Sequence, residues 1–150
     1  MYYFAYGSNM SSARLRQRIP IMQIVGQAYL CGYTMRCTKR GKDGTGKANL
    51  HPDPAGIVWG VLYQLTADAL TLLDTFEPNY AHLAVTVHTA PVLVTYPART
   101  YISTHLLATP CVTREYHRYL IAGAHEHQLP AAYIAMLQAI PHAPEPEVSP

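Results

Sequence analysis

The N-terminal segment, residues 2–10, constrains the fold more than any other stretch of this chain. It opens with an aromatic and apolar run without polar alternation, which is typical of a short strand buried on both faces. Gly7 then permits backbone angles that a side chain would forbid, and the two small polar residues after it can hydrogen-bond their own backbone, so we expect a sharp turn. Ser11 or Ser12 can cap a helix beyond it. Such a junction often serves only as a turn, but its unpaired amides can also hold a carboxylate or an oxyanion.

Length and composition predict one domain. With 150 residues, of which 49% are hydrophobic and 13% charged, the chain can bury a sizeable core and is not disordered. We expect a single domain over residues 1–140, followed by a loose tail over residues 141–150, which carry four prolines. No apolar run is long enough to span a membrane and no secretion signal opens the chain, so the cytoplasm is the expected location.

The charge distribution argues against nucleic acid as a partner. The net charge is only +2, although basic residues cluster between Arg36 and Lys47 in a glycine-rich segment. Because aromatic residues are not interleaved with them as in single-strand binders, a solvated loop is the expected structure of this segment. A phosphate-binding loop is not expected either, since Ala48 stands where a serine or threonine should bind magnesium.

The remaining pattern predicts an α+β domain. Residues 57–65 are apolar almost throughout and predict a central strand. Thr66 can cap the helix that follows, which should stop near Glu77 because Pro78 disfavours helical geometry in the residue before it. The order of elements favours a mixed, curled or barrel-like sheet with flanking helices. The other predicted elements are bent strands over 19–37, an antiparallel pair over 83–88 and 98–104, and helices over 113–124 and 131–139.

Cysteines and histidines give no strong metal or nucleophile motif. Cys31, Cys37 and Cys111 lack zinc-type spacing, and the first two are spaced to face the same side of a strand as reduced, packed residues. A Cys-His nucleophilic site stays a rival hypothesis, although nothing places such a pair together. His125 and His127 stand two apart, which on a helix points their rings to different faces. We therefore expect neither a metal site nor a cofactor.

Three separated pieces of the chain resemble the γ-glutamylcyclotransferase (AIG2-like) family. The opening Phe4-Ala5-Tyr6-Gly7-Ser8-Asn9-Met10 is similar to the family's first motif. Residues 58–63 and 73–77 resemble its central strand and acidic motif, and residues 116–130 resemble its C-terminal helix region. The pieces occur in the family's order and together span residues 2 to about 140.

This resemblance implies a mixed β-barrel and an enzyme that cyclises the γ-glutamyl group of a dipeptide or amide to 5-oxoproline and releases the amine. Glu77 matches the family's catalytic acid/base, and Tyr116 matches a substrate-contacting tyrosine. The chain departs from the family at Pro78, where glycine is usual, and in the short loop before Tyr80, beside the leaving-group pocket. The family's substrate-binding loop is matched by Tyr6, Gly7, Ser8 and Asn9.

This reaction requires no protein nucleophile because the substrate's own α-amine attacks its own γ-carbonyl. One carboxylate can carry the proton from the attacking amine to the departing nitrogen. Glu77 would do so best with a pKa raised by partly apolar neighbours, for which Leu73, Phe76 and Tyr80 are candidates. The alternative is a non-catalytic member of the fold that binds a small ligand or a protein. The sequence leaves open which amine is released, whether glutathione is accepted, and whether the chain forms a homodimer.

Overall fold

A closed barrel of five strands forms the centre of the structure, a computed structural model that describes residues 1–144. The strands lie in the order β1-β3-β2-β4-β5, and all neighbours are antiparallel except β1 and β5, which are parallel. The barrel confirms the predicted mixed, curled sheet. The strands are β1 (Tyr2–Ala5), β2 (Gln23–Arg40), β3 (Gly46–Gln64), β4 (Ala81–Thr89) and β5 (Thr95–Ile102).

Helices flank the barrel, and the first two α-helices begin at the predicted caps, Ser11 and Thr66. The side chains of Ser11, Thr66 and Thr113 each accept a hydrogen bond from a first-turn amide, and so they start the first three α-helices. The second of these helices ends at Asp74, slightly before the predicted stop near Glu77. The helical elements are a 3-10 turn (Ser8–Met10), α1 (Ser12–Arg18), α2 (Ala67–Asp74), α3 (Arg114–Glu126) and α4 (Ala131–Gln138).

The core lies inside the barrel and beneath the helices. In β1, Phe4 and Ala5 are buried, as expected for a strand covered on both faces. In the predicted central strand, Val58, Val61 and Leu62 are fully buried. Each such side chain contributes about 1.5–3 kcal/mol by leaving water. The core therefore holds in place the C-terminal end of β1, where the N-terminal turn begins.

The β2–β3 hairpin differs most from the sequence expectation. The predicted basic loop over residues 39–47 shrinks to a turn at residues 41–45, because Lys39 pairs with Lys47 across the hairpin. Lys39 follows Met35 and Cys37 on the inward face of β2, and only 3% of it is exposed. The prediction of a solvated loop was wrong for this residue, since the strand alternation continues through it.

A register shift in β2 corrects the expected packing of the cysteines. Cys31 is exposed and Cys37 buried, because the alternation of buried residues changes phase at the irregularity between Cys31 and Tyr33, where Gly32 has a positive φ of 89°. Cys111 is also exposed, and all three thiols are free. Burial raises the pKa of Cys37 to about 12, so this thiol makes a poor nucleophile.

The chain beyond α4 stays paired with the domain up to residue 143. The amide of Ala143 donates to the carbonyl of Val112 at 2.9 Å, and the ring of His142 stacks on that of His117. Residues 145–150 of the predicted proline-rich tail lie outside the described residues. None of the helices within residues 1–144 has the length and apolar character needed to cross a bilayer.

Candidate active site

A cavity of about 360 Å³ lies between the turn after β1, the β2–β3 hairpin, the segment after α2, and α3. This volume suits a small-molecule ligand. The cavity has two polar sides, which we call the loop wall (Tyr6–Asn9, Arg14, Arg18 and Glu77) and the hairpin wall (Lys39, Lys42, Asp43 and Lys47). The cavity brings together all of the predicted site residues: Tyr6, Gly7, Ser8, Asn9, Glu77 and Tyr116.

Glu77 lies in the turn that follows α2, with its carboxylate at the cavity. The amide of Glu77 donates to the carbonyl of Asp74 at 3.1 Å, and Asn79 closes the turn with a positive φ of 64°. The carboxylate Oε1 accepts hydrogen bonds from Asn9 Nδ2 and Arg18 Nη1, both at 3.0 Å. Only 15% of the Glu77 side chain is exposed. The carboxylate is thus held in one orientation and largely shielded from water.

Burial raises the pKa of Glu77 above its ordinary value, as the sequence predicted. The positive charge of Arg18 and the hydrogen bond from Asn9 lower this pKa, but desolvation outweighs them. The expected apolar neighbours were partly wrong. Phe76 is 42% exposed and faces the Arg18 guanidinium, and Leu73 is buried in the core rather than at the cavity. Of the three candidates, Phe76 and Tyr80 line the cavity and Leu73 does not.

Asn9 connects the parts of the loop wall. Its Nδ2 donates to the Tyr3 hydroxyl and to Glu77 Oε1, both at 3.0 Å, and its Oδ1 accepts from Arg18 Nη1 at 3.3 Å. Its carbonyl oxygen accepts from the Tyr63 hydroxyl at 2.9 Å. Every polar atom of the Asn9 side chain is therefore used, and β3 fixes its backbone through Tyr63. Sequence reasoning assigned Asn9 to substrate binding and missed its contact with Glu77.

Gly7 is needed for space and not for a left-handed backbone. Its φ of −110° lies outside the left-handed region, and the space around the residue is the constraint that the structure shows. A Cβ at this position would lie 3.1 Å from Ala48 Cβ and 3.2 Å from the Tyr116 hydroxyl. The next two amides, of Ser8 and Asn9, begin a helical turn and have no acceptor within it. Gly7 thus lets β3 and α3 close around a turn that can still bind an anion.

Tyrosines line the cavity between its two walls. The Tyr6 hydroxyl donates to the carbonyl of Tyr101 at 2.5 Å, and the Tyr80 hydroxyl donates to the carbonyl of Ala48 at 2.6 Å. The Tyr116 hydroxyl accepts from the Ala48 amide at 2.9 Å and has no acceptor for its own proton within residues 1–144. Burial raises the pKa of Tyr6, Tyr80 and Tyr116, so all three stay neutral near pH 7. Tyr116 is placed to donate a hydrogen bond into the cavity.

Helix α3 presses directly on the N-terminal turn at Gly123. A Cβ there would lie 2.6 Å from the carbonyl carbon of Met10, which is closer than real Cβ atoms approach. Glu126, one turn further along α3, accepts hydrogen bonds from the amide and the hydroxyl of Ser12. These contacts fix the turn and the start of α1 against α3. The sequence pointed to this part of α3 only through the family resemblance of residues 116–130.

Positive charge is concentrated at the cavity. The lining includes five cationic side chains against two carboxylates, Glu77 and Asp43, an excess of three that exceeds the net charge of +2 of the whole chain. Such a site attracts anionic ligands. The sequence signal for it was the alternation of Met35, Cys37 and Lys39 on one strand face, which the loop prediction overlooked. The cations are Arg14, Arg18, Lys39, Lys42 and Lys47.

The histidine pair near the end of α3 does not contribute to this site. His125 is exposed, whereas the side chain of His127 is only 7% exposed, so the two rings face different surroundings as predicted. Burial lowers the pKa of His127. Within the described part of the chain, no group of three or more His, Cys, Asp or Glu residues is arranged to hold a metal ion.

Comparisons of sequence relate this chain to known proteins. The sequence profile of the AIG2-like family matches residues 57–137. Gamma-glutamylcyclotransferase of Homo sapiens is 27% identical over 146 residues, which cover 92% of this chain and 77% of the human protein. Putative gamma-glutamylcyclotransferase YkqA of Bacillus subtilis is 41% identical over 76 residues, which cover 49% of this chain and 27% of that protein.

Comparisons of structure cover nearly the whole chain. A solved structure of a gamma-glutamyl cyclotransferase superposes with a TM-score of 0.86 at 28% identity, covering 99% of this chain and 93% of that one. The crystal structure of YkqA from Bacillus subtilis gives a TM-score of 0.78 at 26% identity, covering 95% of this chain and 56% of that one. The similarity therefore includes the barrel and the elements that line the cavity.

Proposed function

The chain belongs to the AIG2-like (γ-glutamylcyclotransferase) family, and from this membership we propose that it converts a γ-glutamyl amino acid or a γ-glutamyl amine to 5-oxoproline and the free amine. The observation that carries the proposal is the carboxylate of Glu77. It is buried at the cavity, is oriented by Asn9 and Arg18 at 3.0 Å each, and lies on the same wall as the N-terminal turn. A binding protein would have no need of a shielded carboxylate with a raised pKa.

The proposed reaction is an intramolecular acyl transfer. The α-amine of the substrate attacks the γ-carbonyl carbon, so a new carbon–nitrogen bond closes the five-membered ring while the bond to the leaving nitrogen breaks. Glu77 takes a proton from the attacking amine and gives it to the leaving nitrogen, which leaves the carboxylate as it began. A raised pKa suits this exchange because a group whose pKa lies closer to neutral pH can both accept and donate the proton.

The N-terminal turn stabilises the charge that develops on the γ-carbonyl oxygen. The amides of Ser8 and Asn9 face no acceptor within their turn, and the turn is fixed by Tyr63 and by α3. Tyr6 and Tyr116 bind the substrate on the same side. Holding a flexible γ-glutamyl chain in its cyclising shape lowers the barrier further, by up to about 7–11 kcal/mol in the most favourable cases.

Release of 5-oxoproline by the purified protein tests this function. The panel comprises γ-glutamyl amino acids, glutathione, γ-glutamyl-lysine and simple γ-glutamyl amines, with the product followed by chromatography. A Glu77→Gln preparation made in the same way measures any contaminating host activity. We expect 5-oxoproline from at least one substrate, at a rate well above that of the control preparation. A folded protein that releases none from any member of the panel would contradict the proposed function.

A further inference from the structure

Lys39 is the feature of the cavity that the proposed reaction leaves without a role. Its side chain lies on the inward face of β2, where 3% of the residue is exposed, and it lines the cavity. Within residues 1–144 no carboxylate lies at ion-pairing distance from its ammonium group, and it donates no hydrogen bond. Its contact is the face of the Tyr80 ring, with Nζ 4.6 Å from the ring centroid. A buried charge without an ionic partner is costly, which calls for an explanation.

The two carboxylates that line the cavity with Lys39 are bound to other residues. Glu77 pairs with Arg18 at 3.0 Å, and Asp43 lies 3.4 Å from Lys47. Both carboxylates act on Lys39 only from a longer distance, and burial still lowers the pKa of the Lys39 ammonium. An anion that enters the cavity would therefore meet a desolvated cation with no competing partner. Interactions of this kind are stronger than those at an exposed lysine.

We propose that Lys39 is a specificity residue that binds a carboxylate of the substrate. The identity of that substrate rests on the proposed function. A γ-glutamyl amino acid carries two carboxylates, one on the γ-glutamyl group and one on the leaving amino acid, and Lys39 donates a charge-assisted hydrogen bond to one of them. The aromatic face of Tyr80 holds the ammonium in place from the other side. Lys39 supplies binding, whereas Glu77 supplies the proton transfer.

Lys39→Met tests this role because methionine keeps most of the apolar stem and removes only the charge. The variant is compared with wild type on γ-glutamyl-L-alanine and on γ-glutamylethylamide, which differ only in the carboxylate of the leaving group. We expect KM for γ-glutamyl-L-alanine to rise about 10- to 100-fold, as for loss of one charged hydrogen bond, while kcat changes little. Arg40→Met is the matched control, since Arg40 is adjacent, equally charged and exposed, and does not line the cavity.

The two substrates identify the carboxylate that Lys39 binds. A rise in KM for γ-glutamyl-L-alanine alone assigns Lys39 to the carboxylate of the leaving amino acid. An equal rise for both substrates assigns it to the carboxylate of the γ-glutamyl group. Unchanged KM values for both substrates, or a fall in kcat without a change in KM, would overturn the proposal.

A binding measurement separates this proposal from the proposed reaction. Glutaryl-L-alanine and glutaryl-ethylamide lack the attacking amine, so they cannot cyclise but keep the same carboxylates. We expect calorimetry to show weaker binding of glutaryl-L-alanine to Lys39→Met than to wild type, and this holds even if no substrate is turned over. Equal binding would overturn the role of Lys39 whatever the activity assay shows. We expect Lys39→Met to unfold at a temperature no lower than wild type. If Lys39→Met does not fold, Lys39→Gln is used in the same measurements.

Discussion

The loop wall and the hairpin wall of the cavity differ in whether their buried charged groups have partners within the protein. On the loop wall the Glu77 carboxylate receives hydrogen bonds from Asn9 and Arg18, both at 3.0 Å, and Asn9 uses all of its side-chain polar atoms. On the hairpin wall only 3% of Lys39 is exposed, and its ammonium faces only the ring of Tyr80. The buried carboxylate of the loop wall is thus paired with a cation of the protein, whereas the buried ammonium of the hairpin wall has no ionic partner within residues 1–144.

This difference corresponds to two roles in the proposed reaction, proton transfer and substrate binding. A group that transfers a proton must be held in a fixed position before the substrate arrives, because reorientation during the reaction would raise the barrier. A group that binds a ligand gains most when its partner is missing until the ligand enters. The predictions below test whether the loop wall positions the catalytic group and whether the hairpin wall affects binding alone.

Among the residues that surround Glu77 and Lys39, the largest effect is expected from Asn9→Ala on the loop wall. The change removes the two hydrogen bonds that Asn9 Nδ2 donates to Glu77 and to the Tyr3 hydroxyl. A small displacement of a catalytic group can reduce the rate about 100-fold. We expect kcat for 5-oxoproline release to fall by about this factor. The pKa of Glu77 should also rise, since this hydrogen bond favours the ionised form. Gln17→Ala, on the exposed side of α1, is the control, and an unchanged kcat for Asn9→Ala would remove Asn9 from the mechanism.

A smaller effect, on pH dependence, is expected from Arg18→Met. Burial raises the pKa of Glu77 and Arg18 lowers it, so removing Arg18 raises this pKa further. Because Glu77 must be ionised to accept a proton, activity falls as pH drops through its pKa, and the acid limb of the kcat/KM profile should move to higher pH. Arg16→Met on the same helix should leave the limb in place. A shift of the limb to lower pH in Arg18→Met would contradict the assignment of this limb to Glu77.

The smallest effect is expected from Asp43→Asn on the hairpin wall. The Asp43–Lys47 pair is partly exposed, so its loss should change the free energy of unfolding by less than about 1 kcal/mol, measured by urea denaturation. The amide can still accept the hydrogen bond from the Thr45 amide that closes the turn. Removing a negative charge from this wall should lower KM for an anionic substrate, by no more than about threefold, with kcat unchanged. A higher KM would contradict the view that this wall binds a carboxylate.

Sequence patterns predicted the barrel, the caps of the first two α-helices, and Tyr6–Asn9 and Glu77 on the loop wall, but not Arg14 and Arg18. These features depend on local signals such as the apolar runs of residues 2–6 and 57–65, the capping Ser11 and Thr66, and a contiguous family motif. The hairpin wall was missed because glycines at 41, 44 and 46 suggested a long loop, whereas strand pairing continues to Arg40. Pairing across a hairpin is a tertiary preference that overrides local composition.

The contact between Asn9 and Glu77 could not be predicted for a different reason. It joins residues 68 positions apart in the sequence, and it depends on how the segment after α2 packs beside the N-terminal turn. The inward position of Lys39 also depends on the register of β2 within the barrel, which local spacing did not reveal.

The rate of 5-oxoproline release by Glu77→Gln tests the central claim most directly. Glutamine keeps an oxygen that can accept from Asn9 and Arg18, so the variant removes proton transfer with little change in shape. Because the pKa of Glu77 is raised in the folded protein, ionised Glu77 lowers the free energy of unfolding at pH values above that pKa, and this loss disappears at lower pH. Glu77→Gln should therefore unfold at neutral pH at a temperature no lower than wild type. We predict a fall in kcat of about 10²- to 10⁴-fold in a folded protein. A folded Glu77→Gln with kcat close to wild type would contradict the account.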